Sequence, residues 1–149
     1  METLKQSPLS AQPEPKLQHS AVPPSATAIP TSSGEGFKLE NESNQWGVKL
    51  WTLTFDLPGE KVNKLGTQII QEFEDLIPRL RRMHDLQEIE ALVFLSGKPG
   101  NFIAGADIKL IESCDTYDKA FALSRRGQTL ANQWEDLPFP TVAAINGTA

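Results

Sequence analysis

The sequence predicts an α/β fold with a mainly parallel sheet, and three observations support this prediction. Stretches with strand periodicity alternate with stretches of helical periodicity over residues 37–149. Turn-forming glycines and prolines separate them, and no stretch repeats another. Residues 89–95 are nearly all apolar, which is typical of a strand buried on both faces of a parallel sheet. Strands that alternate with helices imply right-handed crossover connections between parallel neighbours.

The first 36 residues are predicted to be a disordered extension that precedes an ordered domain at residues 37–149. Prolines recur there among Ser, Ala, Gln and Thr, and large apolar side chains are too few to offset the entropy of ordering. The segment lacks the apolar core of a secretory signal and has no arginine, unlike most mitochondrial transit peptides. A proline-rich docking arm is the alternative, although no P-x-x-P cluster with basic flanks is present.

The first half of the ordered domain is expected to contain two strands and one helix. Residues 37–39 can form a short strand, residues 41–44 are polar and turn-like, and residues 47–55 alternate as a longer strand does. Residues 66–83 place their apolar side chains on one side of a helix. Pro78 lies inside that helix and lacks a backbone donor, so we expect a kink or a break there.

The second half continues the alternation of strands and helices. We expect a strand at 89–95, a loop at 96–100 and a short helix from Asp107 to about Ile111. A longer helix, capped by Asp115 or Thr116, should end near Trp134. A strand at 141–145 and a turn at 146–147 follow it. Ligands of α/β sheets usually bind at the carboxyl ends of strands. The ends after Leu95 and Ile145 are therefore the expected walls of one site.

Residues 100–108, which read Gly-Asn-Phe-Ile-Ala-Gly-Ala-Asp-Ile, are the best candidate for that site. Asp107 is a good helix N-cap, and the start of a helix leaves backbone N–H groups unpaired. Such groups can stabilise the negative oxygen of an enolate or a tetrahedral intermediate. The alternative interpretation of Gly105 and Ala106 is a tight turn between a strand and a helix. Asp107 itself is better explained as a cap than as a catalytic acid.

Composition and isolated reactive residues exclude several other functions. The formal net charge of −5 and the pI of about 5.0 disfavour nucleic acid as the main partner, and no apolar run is long enough for a membrane span. Cys114 is the only cysteine, which fits a reducing compartment. His19 and His84 lack the context of a catalytic triad or a metal site, so we predict no metal and a solvent-facing His84.

Three motifs, at residues 55–65, 98–108 and 142–149, resemble in order and spacing the crotonase (enoyl-CoA hydratase/isomerase) superfamily. Within it the resemblance is strongest to the amino-terminal hydratase domain of multifunctional fatty-acid oxidation alpha subunits. This resemblance rests on two motifs, Pro-Gly-Glu-Lys-Val-Asn-Lys-Leu at 58–65 and Asn-Phe-Ile-Ala-Gly-Ala-Asp-Ile at 101–108. The resemblance implies a crotonase-like spiral of ββα repeats, of which residues 37–149 would be an incomplete amino-terminal part.

The resemblance also implies roles for particular residues. The backbone N–H of Ala106 would donate to the thioester oxygen of an acyl-CoA substrate. The residues around it would line the acyl-CoA site, and Lys61 and Val62 would lie near the CoA; the set is Ala104, Gly105, Ala106, Asp107, Ile108, Lys109, Lys61 and Val62. Lys61, Lys64 and Lys98 are either ordinary solvated charges or ligands of a CoA phosphate. The second oxyanion donor and the two catalytic glutamates of hydratases would come after residue 149.

The implied activity is hydration of a 2-enoyl-CoA to a 3-hydroxyacyl-CoA in fatty-acid β-oxidation. Relatives of the alpha-subunit type also carry a downstream NAD-dependent 3-hydroxyacyl-CoA dehydrogenase, bind a thiolase beta subunit and act in the bacterial cytoplasm. No cofactor is expected in these 149 residues, and we expect them to be inactive alone because one donor without an acid–base pair is insufficient. The alternatives are an isomerase or thioester hydrolase of the same superfamily, or a non-catalytic protein that binds acyl-CoA or a partner.

Overall fold

A computed structural model describes residues 36–42 and 44–149. The expectations for the extension, its docking role and His19 therefore lie outside the described residues, except that Gly36 is buried and donates its N–H to Glu72 Oε2 over 3.2 Å. The elements are β1 (Phe37–Glu42), β2 (Leu50–Phe55), α1 (Thr67–Asp85), β3 (Ala91–Ser96), β4 (Gly100–Asn101), α2 (Ile108–Glu112), α3 (Tyr117–Glu135), β5 (Thr141–Ala144) and β6 (Gly147–Thr148).

The main sheet has the strand order β1-β2-β3-β5. Strands β1 and β2 form an antiparallel pair, whereas β2, β3 and β5 are parallel neighbours. The expected α/β fold with a mainly parallel sheet is thus confirmed, and α1 and α3 are its crossover connections. Two strands followed by helical structure recur as β1-β2-α1 and β3-β4-α2-α3, as expected for ββα repeats.

The pairing of β1 with β2 corrects two predicted boundaries. Glu42 pairs with Leu50, so residues 41 and 42 belong to β1 and not to the expected turn. Gly47 has a φ of 70°, which is left-handed backbone that cannot continue a strand, so β2 begins at Leu50 and not at residue 47. The turn predicted at residues 41–44 was placed too early, because the polarity of neighbouring residues does not indicate which residues pair across two strands.

Residues 146–147 were expected to form only a turn, and this prediction was wrong in part. Gly147 and Thr148 form β6, which pairs in parallel with β4 in a second, two-stranded sheet. A side chain at position 147 would collide with the Gly100 backbone, so this close approach requires glycine. The short sheet brings the segment after β3 next to the segment after β5, as expected from the strand ends.

Helix α1 covers the sheet with one apolar face, as its periodicity predicted. The buried residues of this face are Ile69, Ile70, Phe73, Leu76, Ile77, Leu80 and Met83. The helix continues through Pro78 over 19 residues, so the expected break does not occur. Pro78 is exposed, and because it has no backbone N–H, the carbonyl one turn earlier loses its helical donor.

Helix α3 packs more loosely than α1 and buries no residue completely. Trp134 is half-buried and packs against the core, with its ring 5.8 Å from that of Phe73. Arg126 ties α3 to α1 through a bidentate contact of 2.6 and 2.7 Å with Glu74. This contact lowers the pKa of Glu74, chiefly through the hydrogen bond from Arg126.

His84 corrects another expectation, because it does not simply face solvent. Its ring centroid lies 5.7 Å from that of Phe139, and the residue is half-buried near the end of α1. Its Nδ1 atom is buried and has no hydrogen-bond partner within the described residues. Cys114 is half-buried and is not part of a disulfide. Among residues 36–42 and 44–149, no helix has the length and apolar character to cross a membrane.

Candidate active site

The segment that was singled out in the sequence pairs with residues 63–65 as a short parallel ladder. Ala104 N–H donates to the Asn63 carbonyl over 2.7 Å, Leu65 N–H donates to the Gly105 carbonyl over 2.8 Å, and Asp107 N–H donates to the Leu65 carbonyl over 3.0 Å. Leu65 and Ala106 are therefore partners in a parallel β-bridge. This ladder joins the first motif to the second.

The ladder determines where the Ala106 N–H points. In an extended chain, consecutive residues direct their N–H groups to opposite sides. The Gly105 carbonyl and the Asp107 N–H both bond to Leu65, so the Ala106 N–H is directed away from Leu65. It has no hydrogen-bond partner within the part of the chain that the structure describes, and Ala106 is exposed. A fixed, unpaired donor at an accessible position is what an oxyanion site requires.

Gly105 allows this arrangement through its backbone conformation. Its φ is 113°, in a region that is rarely adopted by residues with a side chain. A Cβ atom at this position would meet no other atom within 4 Å, so space does not explain the glycine. The positive φ alone does, because it turns the chain between the two bonds that hold Ala104 and Asp107.

Asp107 is a helix cap and the centre of a small ion cluster, as the cap interpretation predicted. Its Oδ1 accepts from the Lys109 N–H over 2.9 Å, and its Oδ2 lies 3.2 Å from Lys64 Nζ, which also lies 3.0 Å from Glu60. The Lys109 N–H, and secondarily Lys64, lower the pKa of Asp107. Hydrogen bonds to Glu60 and Asp107 raise the pKa of Lys64. Asp107 is therefore ionised near neutral pH and has no proton to donate.

Two of the lysines considered for a CoA phosphate are engaged within the protein. Lys64 is bound to Glu60 and Asp107, as described above. Lys98 is largely buried, and its Nζ lies 2.7 Å from the Leu57 carbonyl and 2.6 Å from Asp56 Oδ1. Lys98 therefore fastens the loop after β2 to the loop after β3, and it is not the solvated charge that was expected.

Most of the other residues predicted to contact acyl-CoA are exposed. Ala104, Ala106, Ile108 and Lys109 are exposed, with 70% of the Ile108 surface accessible, while Gly105 is half-buried. Lys61 and Val62 directly precede the ladder residue Asn63 and are both exposed. These two residues are thus next to the Ala106 segment in space, and their contact with CoA stays a prediction.

Asn63 is a functional candidate that the sequence analysis missed. It is fully buried, and its side chain and backbone bind three other segments of the chain, at residues 55–57, 96 and 101–104. The only signal in the sequence was a polar residue of small size inside the first motif, and that pattern equally describes an exposed turn. Only the folded chain brings its partners together. Among the described residues no group of three or more His, Cys, Asp or Glu side chains could hold a metal ion.

Known proteins are similar to this chain in sequence and in fold. Fatty acid oxidation complex subunit alpha of Vibrio campbellii is 37% identical over 110 residues, which is 74% of this chain. The protein of the same name from Vibrio parahaemolyticus is 41% identical over 95 residues, 64% of this chain. The enoyl-CoA hydratase from Bacillus anthracis superposes with a TM-score of 0.62 at 17% identity, over 75% of this chain and 40% of that one. By sequence similarity to these alpha subunits and by its fold, the chain matches part of a crotonase-superfamily domain.

The matching segment is short compared with these sequence relatives. It spans 14% of the Vibrio campbellii subunit and 13% of the Vibrio parahaemolyticus subunit. The search with family models found no match. The expected resemblance and fold class are nevertheless confirmed, since both sequence relatives are alpha subunits and the structural relative is an enoyl-CoA hydratase that shares the fold.

Proposed function

We propose that this chain forms the acyl-CoA-binding wall of an enoyl-CoA hydratase site in a fatty acid oxidation alpha subunit. The observation that supports this best is the Ala106 N–H, which the Leu65 ladder directs away from its neighbours and leaves without a partner in residues 36–42 and 44–149. The thioester oxygen of a 2-enoyl-CoA is the acceptor that we assign to it. Ala104 to Lys109, together with Lys61 and Val62, line the same wall.

The chemistry explains why a fixed donor is useful. Addition of water to a 2-enoyl thioester places negative charge on the thioester oxygen, and Ala106 N–H stabilises that charge. Removal of one such donor typically costs about 2.7–4 kcal/mol in the transition state. The hydration step also needs acid–base groups to orient water and transfer a proton. Asp107 is not suited to this work because its carboxylate is bound to the Lys109 N–H and Lys64.

We further propose that the whole protein resembles its relatives in organisation. It would carry an NAD-dependent 3-hydroxyacyl-CoA dehydrogenase after the hydratase domain, bind a thiolase beta subunit and act in the cytoplasm of a bacterium. NAD would belong to that further domain and not to the residues described here. The polypeptide of 149 residues would have no hydratase activity by itself. Turnover of crotonyl-CoA by the pure, intact polypeptide would contradict this last point.

The donor role of Ala106 is tested by replacement of its amide with an ester, which removes the N–H and leaves the side chain in place. Crotonyl-CoA labelled with ¹³C at the thioester carbonyl reports polarisation through its chemical shift on binding. We expect a downfield shift with the unmodified chain, loss of that shift with the ester, and a dissociation constant about 3- to 10-fold weaker, as for loss of one hydrogen bond.

Ala106→Gly is the matched control, because it changes the side chain and keeps the N–H. We expect the control to retain the carbonyl shift. An ester variant that binds crotonyl-CoA with the same affinity and the same shift as the unmodified chain would refute the donor role. A chain that fails to bind crotonyl-CoA at all would refute the proposed function.

A further inference from the structure

We infer that Asn63 is a positioning residue for the Ala106 N–H, and this inference deepens the proposed function on which it rests. Asn63 is fully buried and is assigned no contact with the substrate; it binds the acyl-CoA wall through its backbone carbonyl, which accepts from the Ala104 N–H. It acts through the ladder that holds the segment from Ala104 to Asp107. Three features of the described structure lead to this assignment: the bonds of the Asn63 side chain, the bonds of its backbone, and its complete burial.

The Asn63 side chain ties together the ends of two central strands. Its Nδ2 donates to the Phe55 carbonyl over 2.8 Å at the end of β2, and to Ser96 Oγ over 2.9 Å at the end of β3. A third, longer contact of 3.3 Å reaches the Phe102 carbonyl. Its Oδ1 accepts from the Leu57 N–H over 3.0 Å. The side chain is therefore fixed from both strands and from the segment that leads to Ala106.

The Asn63 backbone transmits this position to the site. Its carbonyl accepts from the Ala104 N–H over 2.7 Å, which is the first bond of the ladder. Two residues later, Leu65 makes the two bonds that orient Ala106. A displacement of Asn63 therefore moves one end of the ladder, and the direction of the Ala106 N–H changes with it.

The backbone N–H of Asn63 extends the connection to the third motif. It donates to Asn101 Oδ1 over 3.1 Å, and Asn101 lies in β4, which pairs with β6. The neighbouring Phe102 N–H donates to the Thr148 carbonyl over 2.7 Å. All three motifs that were recognised in the sequence thus meet around Asn63, although Asn63 and Thr148 are 85 positions apart along the chain.

Asparagine is the side chain that fits these partners. Nδ2 faces two carbonyls and a hydroxyl, and Oδ1 faces an N–H, so the position needs donors and an acceptor on one planar group. Aspartate offers no donor when ionised, and leucine offers neither function. Because the site is fully buried, an unpaired group left by substitution would not be solvated.

The test compares Asn63→Ala with Met83→Ala, a control that removes a buried side chain on α1 outside the ladder. Hydrogen exchange of the Ala104, Leu65 and Asp107 amides is measured by NMR on the 149-residue chain, and β3 amides correct for global stability. We expect Asn63→Ala to accelerate exchange of the three ladder amides by about tenfold more than the control does. Equal acceleration in both variants would overturn the inference.

Ser96→Ala is a milder variant that keeps the test decisive if Asn63→Ala does not fold. It removes one acceptor of Asn63 Nδ2 and should accelerate exchange of the same ladder amides, by a smaller factor. The labelled crotonyl-CoA then provides the functional readout: the carbonyl shift should be lost with Asn63→Ala, or reduced with Ser96→Ala, and retained with Met83→Ala. Retention of the shift in a variant with a loosened ladder would overturn the positioning role.

The two proposals fail in distinguishable ways. A loosened ladder in the Asn63 or Ser96 variant, with no carbonyl shift in the unmodified chain, would refute the proposed function and leave the mechanical role of Asn63 standing. An unaffected ladder, with a clear carbonyl shift in the unmodified chain, would refute the role of Asn63 and support the proposed function.

Discussion

Gly105→Ala and Gly127→Ala are the same chemical change, and we expect them to alter stability in opposite directions. Gly105 has a φ of 113° at the turn of the ladder, whereas Gly127 lies inside α3 with ordinary helical backbone. An added Cβ would meet no atom within 4 Å at either position. Packing is therefore removed from the comparison, and only the conformational preference of the backbone remains.

The magnitudes follow from that preference. A side chain held in a sparsely populated region of φ and ψ costs about 1–3 kcal/mol, so Gly105→Ala should lower the free energy of unfolding by that amount. Alanine in a helix interior is favoured over glycine by about 0.8–1.0 kcal/mol, so Gly127→Ala should raise it. The two variants should therefore differ by about 2–4 kcal/mol.

Urea unfolding followed by circular dichroism measures this difference. With a slope of about 2 kcal/mol per molar urea, the midpoint of Gly105→Ala should fall by about 0.5–1.5 M and that of Gly127→Ala should rise by about 0.4–0.5 M. Gly105→Ala should also weaken the crotonyl-CoA carbonyl shift, since relief of strain would rotate the peptide that accepts from Leu65. A Gly105→Ala variant as stable as the unmodified chain would refute the reasoning.

The remaining predictions concern the core, the loop contact and the ion cluster. Leu80→Ala should lower the free energy of unfolding by about 2–5 kcal/mol, because Leu80 is fully buried; a loss below about 1 kcal/mol in urea unfolding would contradict the packing. Lys98→Met should lower stability and leave CoA affinity unchanged by calorimetry, because its Nζ binds Leu57 and Asp56; a large loss of affinity with unchanged stability would restore the phosphate role. The pKa of Asp107 is lowered in the folded state, so its carboxylate contributes fully to the free energy of unfolding above about pH 4, and this contribution is lost as the pH falls below that value. In Asp107→Asn, the urea midpoint should therefore decrease less between neutral and acidic pH than in the unmodified chain. The same decrease in both chains would count against the cap.

Several features of the fold could be predicted because they depend on local patterns. The buried face of α1, the Asp107 cap and the helix that begins after Thr116 each follow from residues within one or two turns. At Pro78 the predicted break is absent, because α1 buries apolar side chains against the core on both sides of the proline. That packing is a property of the folded molecule and is not encoded next to the proline.

The lysines show the same limit for charged groups. Lys64 and Lys98 look alike in the sequence as candidates for a phosphate. In the structure, one joins the Asp107 cap and the other holds two loops together, while Lys61 remains exposed without an ion pair among the described residues. Their roles depend on which carboxylates and carbonyls the loops bring near, and that is decided by the strand order.

By itself, the sequence determined the class of fold, the superfamily and the segment that presents the Ala106 N–H, because periodicity, capping and motif spacing are all written along the chain. Only the tertiary structure decided the direction of that N–H and the hydrogen-bond partners of the buried Asn63. Both depend on hydrogen bonds between residues some 40 positions apart, such as Asn63 with Ala104 and Leu65 with Gly105. Such bonds form only when the parallel strands place their carboxyl ends side by side, so no local pattern can reveal them.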